Sequence, residues 1–203
     1  MRAGKILHGG LSNFPAWRVA TAATLAELRN QAPVIGIQVE YNLADRTADR
    51  ELLPMAEAFG LGAALYAPLA GGLLTGKYRQ HSDERRRPGV RAEDRHTGVV
   101  LDTVLDVADE CGVNAAQISM AWLRARAARS ATAMIPIVGP RTTAQLGEYL
   151  ATLRLTLTEQ QYDRLEQASA APLGTPHEPV AAALPSIFGG DISLMRRHPV
   201  PAI

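Results

Sequence analysis

The chain has 203 residues, enough for one domain with a substantial core, and its balance of 47% apolar to 20% charged residues is globular. A formal net charge of +1 gives no bulk attraction to nucleic acid or an anionic membrane, and a single cysteine, Cys111, excludes an intrachain disulfide. No run of 18 apolar residues is present and "MRAGKILHGG" lacks the apolar core of a signal peptide, so the expected setting is a reducing cytoplasm, with no membrane partner.

In chain order, "KILHGGL" (5–11) reads as a short strand. "PAWRVATAATLAELRNQ" (15–31) reads as a helix, with Pro15 suited to its first turn and Asn13 a candidate cap. "VIGIQVEY" (34–41) is a β-branched strand, and "DRELLPMAEAFG" (49–60) a helix stopped by Gly60, with Pro54 in its first turn or kinking it. "LGAALY" (61–66) is a third strand, followed by a loop-like stretch over 67–97. Helices are expected at 98–112, ending at Gly112, and at 114–129, capped by Asn114. "TAMIPIVG" (132–139) is the fourth strand. Helices follow at 142–153 and, opening on Thr158, at 158–169. From Pro172 the tail is rich in proline and small residues and is expected to wrap the surface or fray.

Strands alternating with helices imply right-handed crossovers and a parallel sheet, hence an α/β fold. Two arrangements compete, an open doubly wound sheet and part of a barrel. "GGLSNF" is not the Gly-x-Gly-x-x-Gly that would favour the first. Four strands fall short of the eight, in about 250 residues, of a complete (β/α)8 barrel.

The polar residues with chemical promise cluster just past the strand ends, where α/β proteins bind ligands. They are Ser12 and Asn13, Gln38 and Asn42, the run from Tyr66 to Lys77, and Gly139 to Gln145. Gly71, Gly72 and Gly76 let backbone N–H groups approach an anion, and Lys77 adds a positive charge. Arg141, Thr142 and Thr143 open a helix, whose N-terminus favours phosphate. Two anion-friendly places on one edge suit a ligand with separated phosphates, such as a dinucleotide carrying a 2′-phosphate. Each feature also has a plainer reading. Ser12 and Asn13 can cap a helix, Gln38 can satisfy a backbone group, Tyr66 can be a rim residue, the glycines an ordinary turn, and Arg141 a solvated charge. The mixed-sign run "HSDERRRPGVRAEDR" (81–95) has no aromatics and reads as a solvated loop or a lid rather than a nucleic-acid patch. Trp17 and Trp122 read as packing residues, and the five histidines and Cys111 show no metal-ligand spacing.

Five stretches, "GKIxxxGLSNFPAW", "IQVEYNLxDR", "ELLPMAEAFGLG", "YAPLAGGLLTGKY" and "IPIVGPRTTAQLGEYL", resemble successive motifs of the aldo-keto reductase family, in the family's order and over roughly residues 1–170. The resemblance implies a partial (β/α)8 TIM barrel whose strands correspond to barrel strands five to eight, with residues 171–203 as a tail. It implies carbonyl reduction with a nicotinamide cofactor, usually NADPH. Ser12, Asn13 and Gln38 match positions that bind the nicotinamide carboxamide, and Tyr66 the aromatic that stacks on the ring. Pro68, Leu69, Gly71 and Lys77 match the loop along the pyrophosphate. Arg141, Thr142, Gln145 and Glu148, approached through Gly139, match positions around the adenosine and its 2′-phosphate.

The chain departs from the family pattern in places. Ala67 stands where serine is common, Tyr149 where asparagine is common near the adenine, and Leu7, His8 and Gly9 where Arg-Tyr-Ile is more usual. The family's proton-donating tyrosine and its aspartate, lysine and histidine supports come from the first half of the barrel and transfer to no position here. Tyr41, Asp45 and His8 offer the right chemical types, but no spacing assigns them. Half a barrel leaves two unpaired parallel edges. Completion by residues of a longer reading frame, by a second copy, or by a separate chain are the expected remedies. The alternative to an enzyme half is a non-catalytic nucleotide-binding or assembly module.

Overall fold

A computed structural model describes residue 1, residues 3–80 and residues 94–189. Four strands, β1 (Gly9–Ser12), β2 (Val34–Glu40), β3 (Gly62–Tyr66) and β4 (Met134–Pro136), form one parallel sheet in the order β1-β2-β3-β4. A doubly wound sheet reverses direction at its centre. This one advances in a single direction, and with right-handed crossovers every connecting helix must then fall on the same face. It is the winding of a barrel wall.

Burial follows from that topology. On β2, Ile37 and Val39 are buried while Gln38 between them is exposed. On β3, Ala63 and Leu65 are fully buried and Gly62, Ala64 and Tyr66 are not. The alternation marks one face packed under helices and one face open, with Ser12, Gln38, Ala64 and Ile135 in register across the four strands. Gly10, Gly36 and Gly62 form a parallel row. A Cβ on Gly36 would lie 2.8 Å from the Gly62 carbonyl oxygen, so the close approach of the strands admits no side chain there.

The helices are α1 (Ala16–Leu28), α2 (Leu52–Ala58), α3 (Lys77–Gln80), α4 (Arg95–Cys111), α5 (Ala115–Ala127), α6 (Thr143–Ala151), α7 (Glu159–Ser169) and α8 (His177–Ile187). The expected caps at Asn114 and Thr158 are present, each side chain accepting from the backbone N–H three residues on. α5 is the central helix. Ile118 to Leu123 are all buried, including the fully buried Trp122, as expected for a helix enclosed on most sides.

Several elements differ from the sequence reading. The first strand covers 9–12 rather than 5–11, because residues 5–8 flank an edge with only one neighbour to pair with. The fourth strand is 134–136 rather than 132–139 for the same reason. Asn13 does not cap α1. It takes a left-handed φ of 56° and the N-cap position falls to Pro15. The helix expected at 49–60 is split into a 3-10 turn at Thr47–Asp49 and α2, with Pro54 in its first turn. The 67–97 stretch is not all loop. It holds a kinked 3-10 segment at Ala70–Thr75, α3, and the start of α4, where Asp94 and Thr97 form a reciprocal cap. Of the 81–95 run, only Asp94 and Arg95 lie among the described residues. The tail beyond Pro172 contains α8, held against the start of α2 by Arg50 donating to the Thr175 carbonyl (2.9 Å) and by His177 against Glu51 (3.0 Å). Trp17 is not a packing residue. It is 65% exposed, with the Arg18 guanidinium 5.0 Å from its ring centre.

Beyond β2 the chain enters a buried polar network. Arg46 is 7% exposed, donates to Asp49 Oδ2 (2.5 Å), Glu166 Oε2 (3.0 Å) and Ser169 Oγ (3.0 Å), and lies over the Trp122 ring at 5.0 Å. Tyr41 donates to Asp49 Oδ1 (2.7 Å), while Tyr162 and Trp122 donate to Glu166 Oε1 (2.7 and 3.1 Å). The network ties the end of β2 to α5 and α7. Burial alone would raise the Glu166 carboxyl, but the Arg46 charge and hydrogen bonds from Tyr162 and Arg46 hold it below its ordinary range.

Breaking one member of such a network leaves buried partners uncompensated. Arg46→Ala should lower the unfolding free energy by about 3 kcal/mol or more, read by urea denaturation at pH 7; an unchanged midpoint would assign the network no stability. Glu166 has a depressed folded pKa, so its contribution is present above its unfolded pKa, about 4.3, and lost as pH falls through the lower folded value. The urea midpoint of the wild type should therefore fall in acid, and Glu166→Gln should flatten that fall.

Candidate functional site

At the strand ends the structure brings most of the sequence-predicted residues together. β3 ends at Tyr66, and Ala67 turns the chain with a left-handed φ of 51°. The following segment is fixed from behind by Leu73 and Leu74, both buried in the core. Its front is made of glycine. Gly72 sits at φ 98°, and a Cβ there would come within 3.2 Å of the Lys77 side chain, so Lys77 lies along backbone that only glycine leaves clear. The Lys77 ammonium rests 4.8 Å from the centre of the Tyr78 ring.

This loop forms one wall of a cleft of about 310 Å³. Pro68, Leu69, Gly71 and Lys77 line it from the loop, and Gly139, Arg141, Gln145 and Glu148 line it from the approach to α6 and from α6 itself. Gln145 and Glu148, three residues apart, share a face of α6, while Arg141 precedes its N-cap. Thr142 has a different place. Its hydroxyl accepts from Gln145 N–H (3.2 Å) as the cap of α6, and it is not among the cleft-lining residues. Gln145 in turn accepts from Arg141 N–H (2.7 Å), so its side-chain oxygen is committed to holding the helix start. Two cations and a carboxylate line the cleft, and the glycines permit close backbone approach; that combination can take a phosphorylated ligand.

Ser12 and Gln38 line a second cleft, of about 340 Å³, on the open sheet face beside β1. Asn13 and Tyr66 are not among the residues that line either cleft. The Asn13 N–H donates to the Gln38 carbonyl (3.0 Å), and the Tyr66 hydroxyl donates to Asn13 Oδ1 at 3.4 Å. His8 also lines this second cleft. Tyr41 and Asp45 do not belong to either. Tyr41 is fully buried in the Arg46 network, where burial raises its phenol well above the ordinary range, and Asp45 accepts from Thr47 in a local turn.

A third cleft, about 370 Å³, is lined by Arg46, Asp49, Glu57, Arg126 and Arg129 at the edge of the buried network. It is larger than the loop cleft, but its charges are already engaged. Arg46 and Arg126 pair with Asp49, Arg129 pairs with Glu159, and Glu57 accepts from Ser130. Cys111 accepts weakly from Gln161 (3.4 Å). Among the described residues no cluster of three His, Cys, Asp or Glu side chains could hold a metal ion, and no helix is long and apolar enough to cross a membrane.

Sequence reasoning placed Asn42 near the strand ends but gave it no task. The structure supplies one. Asn42 is buried, donates to the Ala67 carbonyl (3.0 Å) and accepts from the Ala44 and Asp45 N–H groups (2.9 and 3.0 Å). It clamps the turn after β2 to the turn after β3. Asparagine followed two and three residues on by turn backbone is the one signal that could have shown this.

A parallel α/β sheet that advances in one direction, with a glycine-rich loop and two cations at its strand ends, is consistent with part of a (β/α)8 barrel. A sequence profile of the aldo/keto reductase family matches residues 1–170, and the chain belongs to that family. Among its relatives, the uncharacterized oxidoreductase YrpG of Bacillus subtilis is 34% identical over 183 residues, covering 89% of this chain and 54% of that protein. The versiconal hemiacetal acetate reductase of Aspergillus parasiticus is 27% identical over 174 residues, covering 82% of this chain and 49% of that one. The aflatoxin B1 aldehyde reductase member 2 of Rattus norvegicus is 42% identical over 85 residues, 42% of this chain and 23% of that one. The chain thus spans about half the length of YrpG and of the Aspergillus reductase. Members of this family generally use NAD(P)H.

Asn42→Ala removes three hydrogen bonds at a buried position. It should cost about 2 kcal/mol of stability and speed amide exchange at Ala44 and Asp45; normal exchange there would show that the turn holds itself.

Proposed function

We propose that this chain is the cofactor-holding C-terminal half of an NADP-dependent carbonyl reductase barrel, its four strands standing as barrel strands five to eight. The observation that carries the proposal is the loop cleft, which gathers Lys77 and the glycines after β3 with Arg141, Gln145 and Glu148 of the α6 region. The open sheet face supports it too, since a barrel interior is where a wall of this winding turns its uncovered side.

The residues fit a nicotinamide dinucleotide on chemical grounds. The glycine at 72 leaves backbone clear beside Lys77, which suits a pyrophosphate. Arg141 offers the planar fork that pairs with a 2′-phosphate. Ser12, Asn13 and Gln38 supply hydroxyl and amide groups of the kind that hold a carboxamide, and Tyr66, fixed by its bond to Asn13, supplies a ring to lie against a flat base. A nicotinamide cofactor contributes a hydride for a carbonyl carbon. The chain's own part is to bind, orient and shield. The proton for the carbonyl oxygen comes, in this proposal, from a complementing half-barrel, because the family's proton-donating tyrosine matches no position here and Tyr41 and Asp45 are committed elsewhere; His8 is the one of the three candidate groups that lines a cleft.

A second reading is favoured by the two sheet edges. α1 exposes Trp17, Leu25 and Leu28, and α6 with the turn after it exposes Leu146, Leu150 and Leu153 at helical spacing. These faces suit a companion (β/α)4 unit, so the chain can serve as a nucleotide-binding assembly module whether or not the assembly reduces a carbonyl. The companion is a further stretch of a longer chain, a second copy or a separate chain. The substrate proposed for the completed assembly is a small carbonyl compound and the setting a reducing cytoplasm.

NADPH titrated into the 203-residue chain should give saturable binding by fluorescence or calorimetry. Arg141→Ala and Lys77→Ala should each weaken it about tenfold. Saturable binding unaffected by either variant would place the nucleotide elsewhere. Alone, the chain should show negligible reduction of simple aldehydes, and measurable turnover would mean that it carries its own proton donor.

A further inference from the structure

We propose that Arg79 is a positioning residue of the loop cleft: by gripping one face of α4 it sets where Lys77 stands, and with it how tightly the cleft holds a phosphate group. The inference rests on the nucleotide-site reading above.

Lys77 opens α3, which spans only Lys77–Gln80. One turn of helix does not hold itself together in water, so neighbouring structure must fix its place. The segment before it ends at Gly76 with a left-handed φ of 73°, and a Cβ there would come within 3.3 Å of Leu105 Cδ2, so the chain lies directly on α4 at that point. Two residues past Lys77, Arg79 makes a second attachment. Its Nη1 donates to Asp102 Oδ1 and its Nη2 to the Gly98 carbonyl (3.1 Å). Gly98, Asp102 and Leu105 are four and three residues apart, which puts them on one face of α4. That face receives the chain on both sides of Lys77.

α4 is itself rooted in the core through Val100, Val104 and Val107, so the grip is on a fixed body. The Lys77 side chain runs beside Gly72, and its ammonium rests against the Tyr78 ring. The reach of that charge is thus set by the glycine path along which it lies and by the attachment of the backbone that carries it. The Arg79 pair is open to water, with the Asp102 side chain 63% exposed and that of Arg79 31%, and a pair so exposed contributes little to folding. A positioning role needs no large folding contribution. A flexible ammonium already held in place loses less freedom when a ligand arrives, and that difference appears as affinity.

The test measures NADPH affinity of the full chain by calorimetry at one fixed ionic strength. Arg79→Ala should weaken binding about threefold in the wild-type background and leave it unchanged in the Lys77→Ala background, because Arg79 acts through Lys77. Asp102→Ala is the sharper variant. By charge alone, removing a carboxylate should tighten the binding of an anion. By loss of the grip, it should weaken binding about threefold, as Arg79→Ala does. Urea midpoints of Arg79→Ala and Asp102→Ala should match the wild type. Wild-type affinity in Arg79→Ala, equal losses in both Lys77 backgrounds, tighter or unchanged binding by Asp102→Ala, or affinity losses that follow a lowered urea midpoint would each overturn the positioning role and leave the cleft intact as a nucleotide site. A folded wild-type chain that does not bind NADPH would overturn the nucleotide-site reading and this inference with it.

Discussion

A parallel sheet that winds in one direction can be covered by its own helices on one face only. From this constraint the remaining features follow. Ile37, Val39, Ala63 and Leu65 point to the helices and form the core with α4, α5 and α7. Gly36, Gln38, Ala64 and Tyr66 point the other way and carry small or polar groups. The outer strands have one neighbour each, so they are short, four and three residues, against seven for β2. The helices flanking the edges keep apolar faces in water. A doubly wound protein of similar size would show none of these features, since its crossovers cover both faces.

The same molecule contains two kinds of charged region, and they behave differently. Around Arg46 every cation has a carboxylate, the carboxylates accept from tyrosine or tryptophan, and Ser169 accepts from Arg46, in a space closed by α5 and α7. Such a saturated network fixes geometry and has little left to offer a ligand. At the loop cleft, Lys77 lies against a ring and Arg141 is exposed, with its backbone rather than its guanidinium engaged by Gln145. The scaffold behind the cleft is nonetheless rigid, because Leu73 and Leu74 anchor the loop in the core and Asn42 locks the adjoining turns. Charge with no ion pair among the described residues, on a firmly held frame, is what binding an anion requires.

Much of this was legible in the sequence, and the failures have physical causes. β2 and β3 stood out because β-branched and apolar runs bounded by turns are strong signals, and the caps at Asn114 and Thr158 follow from local chemistry alone. The edge strands were read too long because pairing, not propensity, sets their ends. Asn13 looked like a cap, but its position between β1 and α1 demands a left-handed turn and a backbone bond to Gln38, a partner 25 residues away in the chain. α8 was hidden by its prolines, although Pro179 falls in the first turn where it is tolerated. Trp17 was misjudged because helical periodicity says which residues share a face and nothing about what covers that face. Of the candidate site, the residues that line the loop cleft were found from turn chemistry and family resemblance together. Thr142 caps α6, as its local pattern suggests.

Carbonyl reduction delivers two particles, a hydride and a proton, and the proposed division of the barrel separates them. Holding a dinucleotide needs long reach along several strand ends, which in the proposal one half-wall supplies through Ser12, Tyr66, Lys77 and Arg141. Delivering a proton needs a single acid facing the carbonyl oxygen from across the barrel interior. The open face described here has the groups for the first task, and its tyrosine, Tyr66, is turned to Asn13 in a role of orientation. In the proposal the acid comes from the opposite wall, which is also the element that would pair β1 and β4 and cover the apolar faces of α1 and α6. Completing the fold and completing the chemistry are therefore, on this reading, one event, since the contact that buries the exposed edges also brings the proton donor to the cofactor's working end.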